Sequence, residues 1–233
     1  MKQRSDPPRG ADTPATVEEI GDRILGAIWE HRLPPGTKLV EERLAAAFAV
    51  SRTKIRLALA RLSHDGVLTI EPNRGTFVSS PTVEQARQVF HARRMLEPAL
   101  LRSLCESVQP AQLARLRKSV ALEAEARARN DRHAMIRLSG EFHLLIAELG
   151  RNPYIGRYMR ELCSLTCLVI ALYDAPGTPA CPHHEHAGIV DAIEAQDGNK
   201  ACALMMEHLD HVEGTLRLEM PVQAEVDFAA LFA

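Results

Sequence analysis

Aromatic residues are scarce in this 233-residue chain: six Phe, three Tyr and a single Trp make up 4% of it. Sheet cores draw on aromatic and β-branched side chains, so this scarcity argues against an all-β fold. No apolar run approaches the roughly 18 residues that a membrane helix needs, and no membrane partner is expected. The five cysteines are odd in number and follow no disulfide-like spacing. With no signal peptide recognisable, the sequence reads as cytoplasmic. An excess of one charge is missing too, since 28 Lys and Arg stand against 30 Asp and Glu. A uniformly basic nucleic-acid binder is thereby excluded, but a locally basic one is not. What is present is a globular balance of 46% hydrophobic and 25% charged residues. Ala, Leu and Arg abound among them, and all three favour helix.

The charge is uneven. Between Lys38 and Val78 there are seven cations against four acids, in a chain whose net charge is -2. Most of that excess lies in SRTKIRLALARL, residues 51–62. Ser51 has the hydroxyl of a helix N-cap. Behind it Arg52, Lys54, Arg56 and Arg61 come with no acid among them, while Ile55, Leu59 and Leu62 mark an inward face. Arg52, Thr53 and Arg56 are left on the outer N-terminal end, the end a major groove admits. These twelve residues would also suit an ordinary cationic surface helix, so their neighbours decide.

Upstream, residues 16–31 carry Val17, Ile20, Ile24 and Ile28 on one face, and Pro34, Pro35 and Gly36 end that helix. Residues 38–40 form a short extended piece and 41–48 a second, Ala-rich helix. Two short helices joined by a tight turn, the second basic at its start, make a helix-turn-helix. Beyond Gly66, residues 67–70 and 76–78 read as two strands around Pro72-Asn73-Arg74-Gly75, a wing whose tip brings Arg74 and Gly75 towards a minor groove. Everything from Thr82 onward reads helical. Thr82 and Gln85 form a capping box, and helices fall at 83–107, 110–129, 131–149, 153–173, 182–197 and 199–219, with Pro98 expected to bend the first. The expected fold is mainly α: a winged helix-turn-helix over 15–79, a linker at 80–82 and an antiparallel six-helix bundle over 83–221. Residues 1–14 and 222–233 are expected to be tails.

Within the bundle, His186 and His208 are 22 residues apart with a helix break midway. Each lies about 11 residues, or roughly 16 Å, from the turn, so an antiparallel hairpin sets them level. On another helix Ser139 and His143 share a face at i, i+4. Three neutral imidazoles converging in a bundle form a first-row metal site; the alternative is polar contacts to a ligand or water. His183, His184 and His211 read as solvated, and Cys163 and Cys167 as core thiols. Arg93 falls on the stripe Val89, Arg93, Leu96, Leu100, which points a guanidinium inward. It is either ion-paired with Glu97 or clamps an effector carboxylate.

These residues together resemble GntR-type transcriptional regulators of the FadR-like branch, whose C-terminal half is an all-helical FCD ligand-binding domain. The resemblance is carried by LPPGTKLVEERLA (33–45), VSRTKIRLALARL (50–62), DGVLTIEPNRGTFV (65–78), RRMLE (93–97), EFH (141–143), EHAGIVDAI (185–193) and MEHL (206–209). It implies a homodimer that binds a pseudo-palindromic DNA operator through Arg43, Ser51, Arg52, Thr53, Lys54, Arg56, Arg74 and Gly75. It also implies a small organic anion effector near Arg93, Glu97 and Ser139, and a divalent metal, zinc or nickel, on His143, His186 and His208. Two departures stand out. Lys54-Ile55-Arg56-Leu57 replaces the family's Pro-Val-Arg-Glu, and Glu42 stands where an arginine is common, with Arg43 beside it. A third concerns the metal, because Ser139 occupies the position of a ligating aspartate. A metal-dependent hydrolytic enzyme is the competing expectation, with Glu141 and Glu185 its only candidate bases. A ligand-independent architectural DNA binder is the third.

Overall fold

The computed structural model describes residues 15–174 and 185–218. The expected tails and His183 and His184 lie outside the described residues. Helix α1 (Val17–Trp29) opens on a capping box, in which the Thr16 hydroxyl accepts from the Glu19 amide and the Glu19 carboxylate accepts from the Thr16 amide. After β1 (Lys38–Leu39) comes α2 (Glu41–Phe48), which ends on Ala49 in the left-handed region at φ 52°. That residue turns the chain into α3 (Arg52–His64), where the Ser51 hydroxyl accepts from the Lys54 amide. Ile20, Ile24 and Ile28 of α1 and Ile55, Leu59 and Leu62 of α3 are all buried, and the two helices pack together. Each such side chain taken fully from water contributes about 1.5–3 kcal/mol before chain entropy is counted.

The wing is β2 (Leu68–Glu71) and β3 (Gly75–Val78), antiparallel with Thr69 opposite Phe77. Its turn takes Asn73 to φ 61° and Gly75 to φ 109°, a conformation glycine adopts without strain. The short extended piece at 38–39 is a strand that pairs with β3, giving the order β1-β3-β2.

Six helices follow: α4 (Val83–Ser107), α5 (Pro110–Ala128), α6 (Arg132–Leu149), α7 (Pro153–Tyr173), α8 (Glu185–Glu194) and α9 (Gly198–Gly214). Pro98 lies inside α4, which runs unbroken from Val83 to Ser107. Helix α8 stops at Glu194, short of the expected 197, because Gln196 turns left-handed at φ 55° and Asp197 caps α9. Helix α9 ends at Gly214 instead of near 219. There the chain turns to pair with the end of α7: Leu216 bridges Asp174, and the Arg217 amide donates to the Tyr173 carbonyl at 2.8 Å. Among the described residues no helix is long and apolar enough to cross a membrane.

One hydrophobic core runs through both parts of the molecule. The C-terminal end of α1 is lodged against α6 and α7. Trp29 Nε1 donates to Ser164 Oγ at 3.2 Å, His31 Nε2 to the Cys167 carbonyl at 3.1 Å, and Arg137 pairs with Glu30 at 2.9 Å. The linker is pinned by the Tyr173 hydroxyl, which donates to the Pro81 carbonyl.

Candidate metal centre and nucleic-acid interface

Helices α6, α8 and α9 each contribute one buried imidazole to a single point. His143 is 3% exposed, His186 2% and His208 1%. His208 Nε2 lies 3.2 Å from His143 Nε2 and 3.3 Å from His186 Nε2. Each ring's other nitrogen meets a carboxylate: His143 Nδ1 is 2.6 Å from Glu97, His186 Nδ1 2.8 Å from Glu123, and His208 Nδ1 2.6 Å from Glu185. An ionised carboxylate only accepts, so Nδ1–H donates and each Nε2 keeps a bare lone pair turned inward. Lone pairs facing one another at such distances repel, and a cation among them removes the repulsion. Carboxylate-oriented imidazoles are also the arrangement that holds metal-ligating histidines in place. Formally the three carboxylates and Arg93 sum to -2, the complement of a divalent ion. The donor set therefore fits such a metal, and the charge absent at Ser139 is supplied one layer further out.

Burial governs the protonation of His143 and His208. It pushes His143 down to about 3 against the pull of Glu97, with Arg93 adding to the depression. It pushes His208 down to about 4 despite the hydrogen bond that His208 donates to Glu185. Burial alone would raise Glu97, yet Arg93 and His143 hold it well below the usual carboxylate range. The unfolded chain takes up protons on these imidazoles near pH 6.5 while the folded protein resists until about 4 and below. Their contribution to stability is therefore complete above pH 6.5 and is lost as pH falls. We expect the melting temperature of chelator-treated protein to decline between pH 6.5 and about 5, before most unfolded-state carboxylates titrate. His208→Gln should flatten that decline; an equal slope in parent and variant would refute the assignment.

Beside the histidines is a cavity of about 260 Å³. His143, Ser139, Ile136 and Arg132 succeed one another along its α6 wall, and Met135, Ile170 and Val212 add apolar surface. Arg127 and Asn130 line it as well. Arg93 also lines this cavity although it is only 3% exposed. Its Nε meets Glu97 Oε1 at 2.5 Å and its Nη1 donates to Thr166 Oγ1 at 3.2 Å, but its buried Nη2 has no partner among the described residues. Glu97, expected at the effector, is instead spent between Arg93 and His143 and does not line the cavity. As an anion it would also repel an anionic ligand. Ser139 does line it.

At the other end of the molecule Arg43, Ser51, Arg52, Thr53, Arg56, Arg74 and Gly75 are all exposed. Arg52, Arg56 and Arg74 are held by acids of the same domain. Arg52 meets Glu42 at 2.8 Å, Arg56 meets Glu41 through two nitrogens at 2.8 and 3.1 Å, and Arg74 meets Glu71. Such exposed pairs are weak and can give way to a phosphate or a base edge. Lys54, expected as a phosphate contact, donates its ammonium to the Ala15 carbonyl at 2.9 Å.

Residues 16–78 match the bacterial regulatory proteins of the gntR family, and residues 88–211 match the FCD domain. The chain belongs to the gntR family, with an FCD domain. It is a DNA-binding transcriptional regulator and not an enzyme. Glu141, one of the two bases an enzyme would need, faces solvent and pairs with Arg137. Among similar proteins, the HTH-type transcriptional repressor NanR of Salmonella newport is 28% identical, with 85% of this chain and 84% of the relative aligned. The transcriptional repressor RspR of Escherichia coli K12 is 24% identical over 79% of this chain and 82% of its own. A GntR regulator of Rhodococcus sp. RHA1 superposes with a TM-score of 0.72 at 27% identity, covering 85% of this chain and 95% of that one. The fold is shared with Escherichia coli McbR at a TM-score of 0.75 and 18% identity, over 87% of this chain and 97% of that one.

Two carboxylates of the centre gave no sign in the sequence of which histidine they meet. Glu185 is next to His186 in sequence but bonds to His208, and Glu123 is 63 residues from its partner. Thr166 of α7, which orients Arg93, was equally silent.

Proposed function

We propose that this gntR-family regulator binds its operator as a two-fold dimer, and that a small organic anion in the FCD cavity controls that binding together with a divalent metal, zinc or nickel. The observation that carries this reading is the coincidence, in one buried place, of three inward Nε2 lone pairs and one unpartnered guanidinium nitrogen. His143, His186 and His208 would hold the metal, which when bound supplies a Lewis-acidic position open to a carboxylate. Arg93, fixed by Glu97 and Thr166, presents Nη2 to the same carboxylate, and the apolar wall excludes water from around it. Arg52, Thr53 and Arg56 read the major groove, and Arg74 with Gly75 approaches the neighbouring minor groove. Acting on an operator places the protein in the cytoplasm.

Metal content of tag-free protein, incubated with zinc or nickel and then desalted, tests the centre. One ion per chain is expected in the parent, and an empty parent would refute the reading. A single recognition helix covers only a few base pairs, so a dimer supplies the remaining affinity. Sedimentation at micromolar concentration should give twice the chain mass; a monomer with full operator affinity would overturn this part.

A further inference from the structure

The chain's only tryptophan lies in the wall between the FCD cavity and the DNA-binding domain. Trp29 is 4% exposed and belongs to α1, whose stripe packs on α3. Its ring lies against Gly140, where an added Cβ would come within 3.1 Å of Cζ3, so only a glycine lets the ring approach so closely. Gly140 lines the cavity from α6. On the α7 side, Trp29 Nε1 donates to Ser164 and His31 Nε2 donates to the Cys167 carbonyl. Cys167 lines the same cavity, and so does Thr166, which accepts from Arg93. The two walls that a ligand would touch are thus the two walls that grip the end of α1.

We propose that Trp29, with His31 beside it, is the contact through which occupancy of the cavity biases the DNA-binding domain. A ligand drawn to Arg93 and the histidines shifts α6 and α7 by fractions of an ångström. Close-packed interiors transmit such shifts instead of absorbing them. Helix α1 carries the displacement to α3 through Ile20, Ile24 and Ile28. Position between two sites does not by itself establish coupling, so the test measures the coupling itself. The proposal rests on the metal-centre reading, because zinc alone serves as the probe.

In the parent, zinc should change the emission of Trp29 and shift the operator dissociation constant by about fivefold or more, within the usual range of allosteric coupling. The operator would be one selected from a random library by the parent protein. Trp29→Phe should still take up one zinc per chain and melt cooperatively, yet its zinc-induced shift should fall below about twofold. Ser164→Ala, which removes the partner of Nε1 and leaves the ring contacts, should give an intermediate shift. It also serves as the second variant should Trp29→Phe fail to fold. A full shift in both variants overturns the proposal, as does a parent that binds zinc with unchanged emission and operator affinity. A parent that takes up no zinc refutes the metal-centre reading and this proposal with it, a result told apart from the others by the metal content.

Discussion

His208→Ala is expected to lower zinc or nickel affinity by about 100- to 1000-fold. A four-ligand structural zinc site is worth about 10–16 kcal/mol, so one ligand accounts for roughly 3–4 kcal/mol, or two to three decades. His208 is the informative choice because its Nε2 is within 3.3 Å of both other histidines, so the remaining pair loses its centre. Glu123→Gln should cost less, about 10- to 100-fold, since it only orients His186. Competition titration against a chromophoric chelator measures both. Operator binding in the absence of metal should persist in His208→Ala, because the DNA-binding residues belong to a separate part of the chain. Parent-like metal affinity in His208→Ala would remove the centre from consideration.

Arg52→Ala is expected to weaken operator binding by about 1–3 kcal/mol, roughly 5- to 150-fold, if its guanidinium reads a base edge. The effect should be confined to one position of each half-site, so a scan of single base changes against parent and variant locates it. Lys54→Ala is the contrast. Its ammonium already donates to the Ala15 carbonyl, and so it should change operator affinity and its salt dependence little. Glu41 complicates the arginines usefully: it accepts from Arg56 through two bonds and lies 3.6 Å from Arg52. Fluorescence anisotropy with the selected operator reads all of these. An Arg52→Ala protein that binds like the parent would remove Arg52 from the base-reading set.

The winged helix was legible because its signals are local. The Ser51 cap, the acid-free run behind it and the Asn73–Gly75 turn each act within a few residues of themselves, where helix periodicity and turn chemistry govern. The bundle was legible for the same reason, from Pro, Gly and Asn punctuation. Of its misjudged ends, the one at 197 was set by the local turn at Gln196 and the Asp197 cap, and the one at 219 by a tertiary contact, the pairing of Leu216 with Asp174. At the metal centre, the level placing of His186 and His208 followed from counting along one helical hairpin. That His143 joins them came from resemblance.

The sequence by itself determined the class of the protein, the position of its recognition helix and the level placing of His186 and His208, since each is written in spacing along one or two neighbouring helices. Only the tertiary structure decided what those groups meet. It brought Glu123 to His186, left Arg93 Nη2 unpartnered beside a cavity, moved Glu97 from effector to histidine, tied Lys54 to the chain's own backbone and set Trp29 against Gly140. The reason is physical. These contacts join residues as far apart in the chain as Trp29 and Gly140, and no local propensity encodes which faces of distant helices will pack together.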